Sequence, residues 1–252
     1  MTEEETRTSL QDTQAPSARL LSDQFDAVVF DLDGVITDTA SLHFDAWKEA
    51  FDEILDTQGD RLPFRHEEYL EFVDGKSRDE GIRSFLASRN YLHKVTPKER
   101  KKIAQKKNDH FQELLRQGRA EALPGAIDLV EQLLFQGIKT ALVSSSKNAS
   151  AVLESLSLEY LFDEQVDGTT LEALEMEGKP APDLFLEAIW RLGVRPDRAA
   201  VIEDAQSGVA AGRAAGVALV IGVASTPRQA QALLREGADL TVANLYELLT
   251  FH

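Results

Sequence analysis

Asp31-Leu32-Asp33-Gly34 sets two carboxylates two residues apart, directly after the apolar run Ala27-Val28-Val29-Phe30. A strand ending in this motif leaves Asp31 at its terminus, while Asp33 reaches the same place from the following loop. Ligand sites in α/β proteins gather at the carboxyl ends of parallel strands. One carboxylate of such a pair suits a hard cation and nucleophilic attack, and the other is left to move a proton. Taken alone, the motif fits an Asx-turn with a solvated partner equally well. What lifts the chemical reading is the company it keeps further along the chain.

Three later segments carry polar groups suited to phosphate. Ser144-Ser145-Ser146-Lys147-Asn148 follows Val143 and precedes a helix, so hydroxyls and backbone N–H groups face one point, as at an anion site. A serine-rich N-cap has the same appearance. Lys179-Pro180-Ala181-Pro182-Asp183 holds a cation on a proline-stiffened turn, although a lone lysine is more often solvated. Glu203-Asp204 follows the apolar Ala200-Val201-Ile202 and adds acids beside those of the first strand. The set is coherent: carboxylates bind a cation, while a hydroxyl and a lysine bind phosphoryl oxygens.

The elements that must position these groups follow from apolar periodicity. Strands are expected at the run ending in Phe30, at Ile138 to Val143, Ala199 to Ile202, Ala218 to Ile221 and Leu240 to Val242. Helices are expected through Ile127, Val130, Leu133 and Leu134, stopped by Gly137, around Val152 and Leu156, and through Leu184, Ala188 and Leu192, with a last helix at the C-terminus. This alternation argues an α/β protein, a doubly wound, Rossmann-like parallel sheet. Between Thr39 and Arg119 there are helices and no strand. Leu42, Ala46, Ala50 and Ile54 mark one; Thr96-Pro97-Lys98-Glu99 opens another with an N-cap, a proline at the first position and a capping box. The division is a core of residues 23–38 and 120–252, an inserted helical cap domain of residues 39–119, and a polar tail of residues 1–22 expected to be disordered.

On the helix opened by Thr96, Lys107 falls on the apolar stripe of Ile103, Phe111 and Leu114, so it either snorkels or points into the cleft between lobes. His43 and Trp47 share a face one turn apart, a spacing that also serves plain packing.

Composition narrows the function. The chain has 252 residues, 27 basic against 43 acidic, a net charge of −16, and no cysteine. Nonspecific binding to nucleic acid or anionic membrane is excluded by charge, and thiolate catalysis and Cys-ligated zinc by the lack of cysteine. No apolar stretch approaches the roughly 20 residues of a membrane span, and the N-terminus lacks signal-peptide character, so a cytoplasmic location is expected.

In the order D-x-D-G, strand-end serine, K-P-x-P-D, strand-end E-D, the chain resembles the haloacid dehalogenase superfamily from Phe25 to its C-terminus. Within it, the chain looks most like the β-phosphoglucomutase family. The residues that carry this are Asp31 through Thr39, His43-Phe44, Ala46-Trp47, Ser77-Arg78, Lys107-Asn108-Asp109, Ser144 with Ser146-Lys147-Asn148, and the lysine and E-D motifs. The resemblance implies that Asp31 becomes a phosphoaspartate and that Asp33 is general acid and base. It implies a magnesium ion on Asp31, the backbone carbonyl of Asp33, and Asp204, with Glu203 nearby or ligating through water. Ser144 and Lys179 would bind the phosphoryl group in transit; Arg78, Ser146, Lys147 and Asn148 would hold a second, non-reacting phosphate. The resemblance also implies that His43 lies near the hinge and that Lys107, Trp47 and Gly75 belong to the substrate side of the cap.

The implied reaction converts β-glucose 1-phosphate to glucose 6-phosphate through β-glucose 1,6-bisphosphate, with a maltose or trehalose phosphorylase as metabolic partner and a monomeric enzyme. Two departures bear on the sugar: acidic Asp74 where the family pattern has a lysine before the glycine, and a long acidic link from Asp167 to Gly178. A sugar-phosphate phosphatase is the alternative on the same scaffold. A catalytically retired binding protein is a third, opposed by the intact set Asp31, Asp33, Ser144, Lys179 and Asp204.

Overall fold

Ala27-Val28-Val29-Phe30-Asp31 becomes β1 (Ala27–Asp31), buried on both faces at the centre of a sheet, as an uninterrupted apolar run requires. The structure is a computed structural model and describes residues 24–249; the tail of residues 1–22 lies outside them. β2 (Lys139–Val143), β3 (Glu164–Val166), β4 (Ala199–Glu203), β5 (Leu219–Val223) and β6 (Leu240–Val242) complete a six-stranded sheet of order β3-β2-β1-β4-β5-β6. Every pairing is parallel, with Asp31 opposite Val143 and Phe30 opposite Ile202. The strand order reverses at β1, so the ends of β1, β2 and β4 open one crevice.

Helices α1 (Ala40–Thr57), α2 (His66–Phe72), α3 (Arg78–Ser88) and α4 (Pro97–Arg116) all lie between β1 and β2 and form the cap. They share a core of their own: Phe51 meets Trp47, Phe64 and Phe85 at ring centroid distances of 4.9, 4.9 and 4.2 Å. The capping box expected at Thr96 is present, with Glu99 Oε2 accepting from the Thr96 N–H at 2.7 Å. α5 (Ala126–Phe135), α6 (Ala149–Leu156), α7 (Gly168–Ala173), α8 (Asp183–Leu192), α9 (Gln206–Ala214) and α10 (Pro227–Glu236) cover the two faces of the sheet.

Cap and core are joined twice, and the two crossings run side by side. The Asp38 N–H donates to Glu121 O at 2.8 Å and the Leu123 N–H to Ile36 O at 2.9 Å, while Thr37 and Ala122 form an antiparallel bridge. Two sequence expectations are corrected. The acidic link from Asp167 carries a helix, α7, and follows an edge strand, β3, whose three residues Glu-Gln-Val have no apolar run to announce them. The last helix is a short 3₁₀ turn, Leu245–Leu248.

Candidate active site

Asp31 ends β1 and Glu203 ends β4, neighbours in the sheet, and both carboxylates meet one ammonium. Lys179 Nζ donates to Asp31 Oδ1 at 2.5 Å and to Glu203 Oε1 at 2.6 Å, with the lysine side chain fully buried. Burial opposes its charge, but the two carboxylates outweigh that and raise its pKa. Glu203 Oε2 accepts from the Ala205 N–H at 2.7 Å, so both of its oxygens are engaged. Burial pushes the Asp31 carboxyl well above the usual carboxylate range, against the pull of Lys179. Asp204 is pushed up too, by burial and then by the charges of Asp74 and Glu203.

Oxygens of Asp31, Glu203 and Asp204 lie within 4.8 Å of one another. All-oxygen donors crowded by mutual repulsion suit a hard divalent cation, which relieves that repulsion. With Glu203 committed to Lys179 and Ala205, Asp31 and Asp204 have the oxygens to spare among the described residues. Gly34 leaves the necessary room: a Cβ there would overlap the Asp204 carboxylate.

Asp33 sits differently. Its Oδ1 accepts from Thr39 Oγ1 at 2.5 Å and lies 3.1 Å from His43 Nε2, off the line of a hydrogen bond; Ser144 Oγ donates to Oδ2 at 3.4 Å. Burial disfavours its charge, but His43, Thr39 and Lys107 together hold it below the usual range. Thr39 is the N-cap of α1 but makes no side-chain capping bond; its hydroxyl donates to Asp33. Neither Thr39's role nor that of Thr37, 2.7 Å behind it, is visible without the fold.

Lys107 does not snorkel. It is 3% exposed, its Nζ 2.6 Å from His43 Nδ1 and 4.5 Å from the Phe111 ring centroid. Burial, then the charge of Arg78, pushes its pKa down to about 7, and burial and Lys107 lower that of His43. Trp47 is packing first: it stacks on Phe51, with one edge on the cleft.

Arg78 opens α3 and reaches across the cleft wall. Its Nη2 donates to Asn108 Oδ1 at 2.8 Å; Asn148 Nδ2 donates to the same oxygen at 3.2 Å, and Gln112 Nε2 to Asn148 Oδ1 at 3.0 Å. A cap arginine and a core asparagine thus share one acceptor. Ser144 Oγ accepts from the Ser146 N–H at 3.0 Å and Ser146 Oγ from the Asn148 N–H at 3.1 Å, so successive hydroxyls shape this loop. Lys147 leaves the group: its Nζ pairs with Glu172 of α7 at 2.6 Å. Gly75 lies in the cap loop with φ +69°, against Ala205 and Ser207. A cleft of about 680 Å³ runs between the lobes, from Asp31 and Asp33 past Arg78 to Lys107 and Lys147.

A family model described as haloacid dehalogenase-like hydrolase matches residues 25–216. The chain belongs to the haloacid dehalogenase-like family. It is 44% identical to a β-phosphoglucomutase of Mycobacterium bovis over 244 residues, 91% of this chain and 93% of that one. It is 40% identical to the β-phosphoglucomutase of Bacillus subtilis, covering 88% and 94%. Among solved structures, β-phosphoglucomutase from Clostridium difficile superposes with a TM-score of 0.75 at 29% identity, covering 89% of this chain and 93% of that one. As a haloacid dehalogenase-like enzyme the chain is a phosphotransferase.

Proposed function

We propose that the enzyme is a magnesium-dependent β-phosphoglucomutase, interconverting β-D-glucose 1-phosphate and D-glucose 6-phosphate through a phosphoaspartate and β-glucose 1,6-bisphosphate. The observation that carries this reading is a second polar cluster, in which Arg78, lining the same cleft as Asp31, shares the Asn108 Oδ1 acceptor with Asn148. A mutase must hold a phosphate at each end of its bisphosphate; a monophosphate hydrolase needs one such site. The core of residues 23–38 and 120–252 would carry the chemistry and the cap of residues 39–119 would cover it.

Asp31 and Asp204, with the Asp33 backbone carbonyl, would hold magnesium, and Glu203 would orient Lys179. Magnesium held there would supply neutralising charge for the phosphoryl oxygens. Ser144 and Lys179 bind the same oxygens from the protein side. Asp33 is held as a carboxylate, the form that removes a proton. It takes the proton from the sugar 6-hydroxyl as that oxygen attacks phospho-Asp31, breaking the acyl phosphate and forming the bisphosphate. After the bisphosphate turns, the Asp31 carboxylate attacks the 1-phosphate, and Asp33 returns its proton to the departing 1-oxygen. Arg78 and Asn148 hold whichever phosphate is not reacting, with Gly75, Trp47, His43 and Lys107 lining the sugar side.

Substrate of β configuration at the 1-phosphate comes from inverting phosphorolysis, so a maltose or trehalose phosphorylase is the natural supplier. A monomer in the cytoplasm completes the reading.

One observation favours a sugar-phosphate phosphatase instead: Lys147 is tied to Glu172, which leaves Arg78 with fewer cationic companions. The Arg78→Ala variant separates the two. Arginine offers a bidentate fork that no neighbouring lysine reproduces. The mutase rate should fall by about 10²-fold or more, on the scale of a lost 2.7 kcal/mol charge-assisted contact, while acetyl phosphate turnover, which uses the Asp31 site alone, survives. Equal loss of both would place Arg78 in support of the fold, and little loss of either would favour the phosphatase.

A further inference from the structure

Two serines that take no part in the chemistry bind consecutive carbonyls of the cap loop. Ser145 Oγ, next to the phosphate-site Ser144, donates to Gly75 O at 2.9 Å. Ser207 Oγ, on the first turn of α9 just past Asp204, donates to Asp74 O at 3.2 Å. The first comes from the end of β2 and the second from beyond the end of β4, so the loop is gripped from both sides of β1.

The approach is close enough to demand glycine twice. Gly75 adopts φ +69°, and a Cβ there would overlap Ser207 Oγ and crowd Ala205 Cβ. On the core side, a Cβ at Gly178 would meet the Glu80 carboxylate, which Ser77 fixes through the capping box of α3. The cap therefore seats at three points, and each adjoins a residue of the phosphoryl site: Ser144, Asp204 and Lys179. Arg78 follows Gly75 by three residues, so the seating of this loop sets where its guanidinium stands.

We infer that Ser145 and Ser207 are positioning residues that clamp the Asp74 and Gly75 carbonyls and so fix the closed cap, with Arg78, over the phosphoryl site. The inference rests on phosphoryl transfer at Asp31, and it holds for a sugar or a water acceptor alike. Neutral hydroxyl-to-carbonyl bonds suit the task, because water replaces them at small net cost when the cap opens. An ion pair between cap and core at this spot would hold the lobes together against substrate exchange.

The test uses Ser145→Ala, Ser207→Ala, the double variant and Ser207→Thr. Hydrogen exchange of the amides of residues 73–77 is followed in protein saturated with magnesium and fluoride, which together mimic the phosphoryl group. Each alanine should speed exchange by roughly 2- to 10-fold, the size of one neutral hydrogen bond, and the double variant by about the product. KM for β-glucose 1-phosphate should rise more than kcat falls, and Ser207→Thr should restore wild-type values. Thermal melting of the free protein should not move, since neither serine supports the core. Unchanged exchange in the double variant, or a threonine variant that behaves as alanine, overturns the assignment. A wild-type enzyme that fails to isomerise glucose phosphates would sink the mutase reading while leaving the exchange result intact.

Discussion

Asp31 and Asp33 show how environment drives two carboxylates of one motif apart. Asp31 is buried beside Glu203 and Lys179, and burial raises its pKa; Asp33 is ringed by Thr39, His43 and Lys107, which lower its own. A proton-transfer role for Asp33 predicts that Asp33→Asn keeps magnesium and phosphate binding but loses about 10²–10⁴-fold in transfer to the sugar. Rapid-quench kinetics would check this, and wild-type turnover would refute it. Lys107 gives a prediction about stability. Its folded pKa of about 7 lies below the usual 10.5, so the unfolded chain binds the extra proton between those values. Stability therefore rises with pH across that window. Lys107→Met, which carries no proton, should be more stable than wild type near pH 7, with the gain shrinking as pH approaches 10 in urea titrations. A pH-independent difference would mean that Lys107 is not held in the buried setting described. In the sequence, the position of Lys107 on an apolar stripe was legible, but its choice between water and cleft was not. That choice depends on His43 and Arg78, which come from other helices.

At the scale of elements, the legible ones have unbroken apolar runs or an explicit cap. β1, β2, β4 and β5 are such runs, and Thr96-Pro97-Lys98-Glu99 announces α4. β3 stayed hidden because an edge strand of Glu-Gln-Val looks like a loop, and α9 because its Ala- and Gly-rich face lacks a stripe of large residues. Ser145, Ser207 and the Lys147–Glu172 pair were invisible for another reason: each contact joins segments that only the packed fold brings together. The paired crossings at Asp38 and Leu123 are bound to each other through two backbone hydrogen bonds and would serve as a single narrow hinge. A labile phosphoaspartate needs water excluded, and substrate needs a way in. Scattering and hydrogen exchange should therefore report compaction, with protection confined to the cleft faces, when magnesium, fluoride and glucose 6-phosphate are added. No change in either would contradict closure about this hinge.

Across the whole molecule, a net charge of −16 surrounds a cleft that must receive anions. The contradiction is resolved locally: Lys179 is buried at the base, Arg78 and Lys107 stand on the cap side, and the strand-end acids face the place where a divalent cation fits. A phosphate at each end of this cleft is what the proposed mutase requires and a hydrolase does not. The direct measurement is product partition. Purified enzyme with magnesium, β-glucose 1-phosphate and a catalytic amount of glucose 1,6-bisphosphate is assayed for glucose 6-phosphate and free phosphate together, with Asp31→Asn as the blank. Glucose 6-phosphate should account for nearly all substrate consumed, and Asp31→Asn should form neither product. Free phosphate released in step with substrate loss, with little glucose 6-phosphate, would contradict the account and identify water as the acceptor.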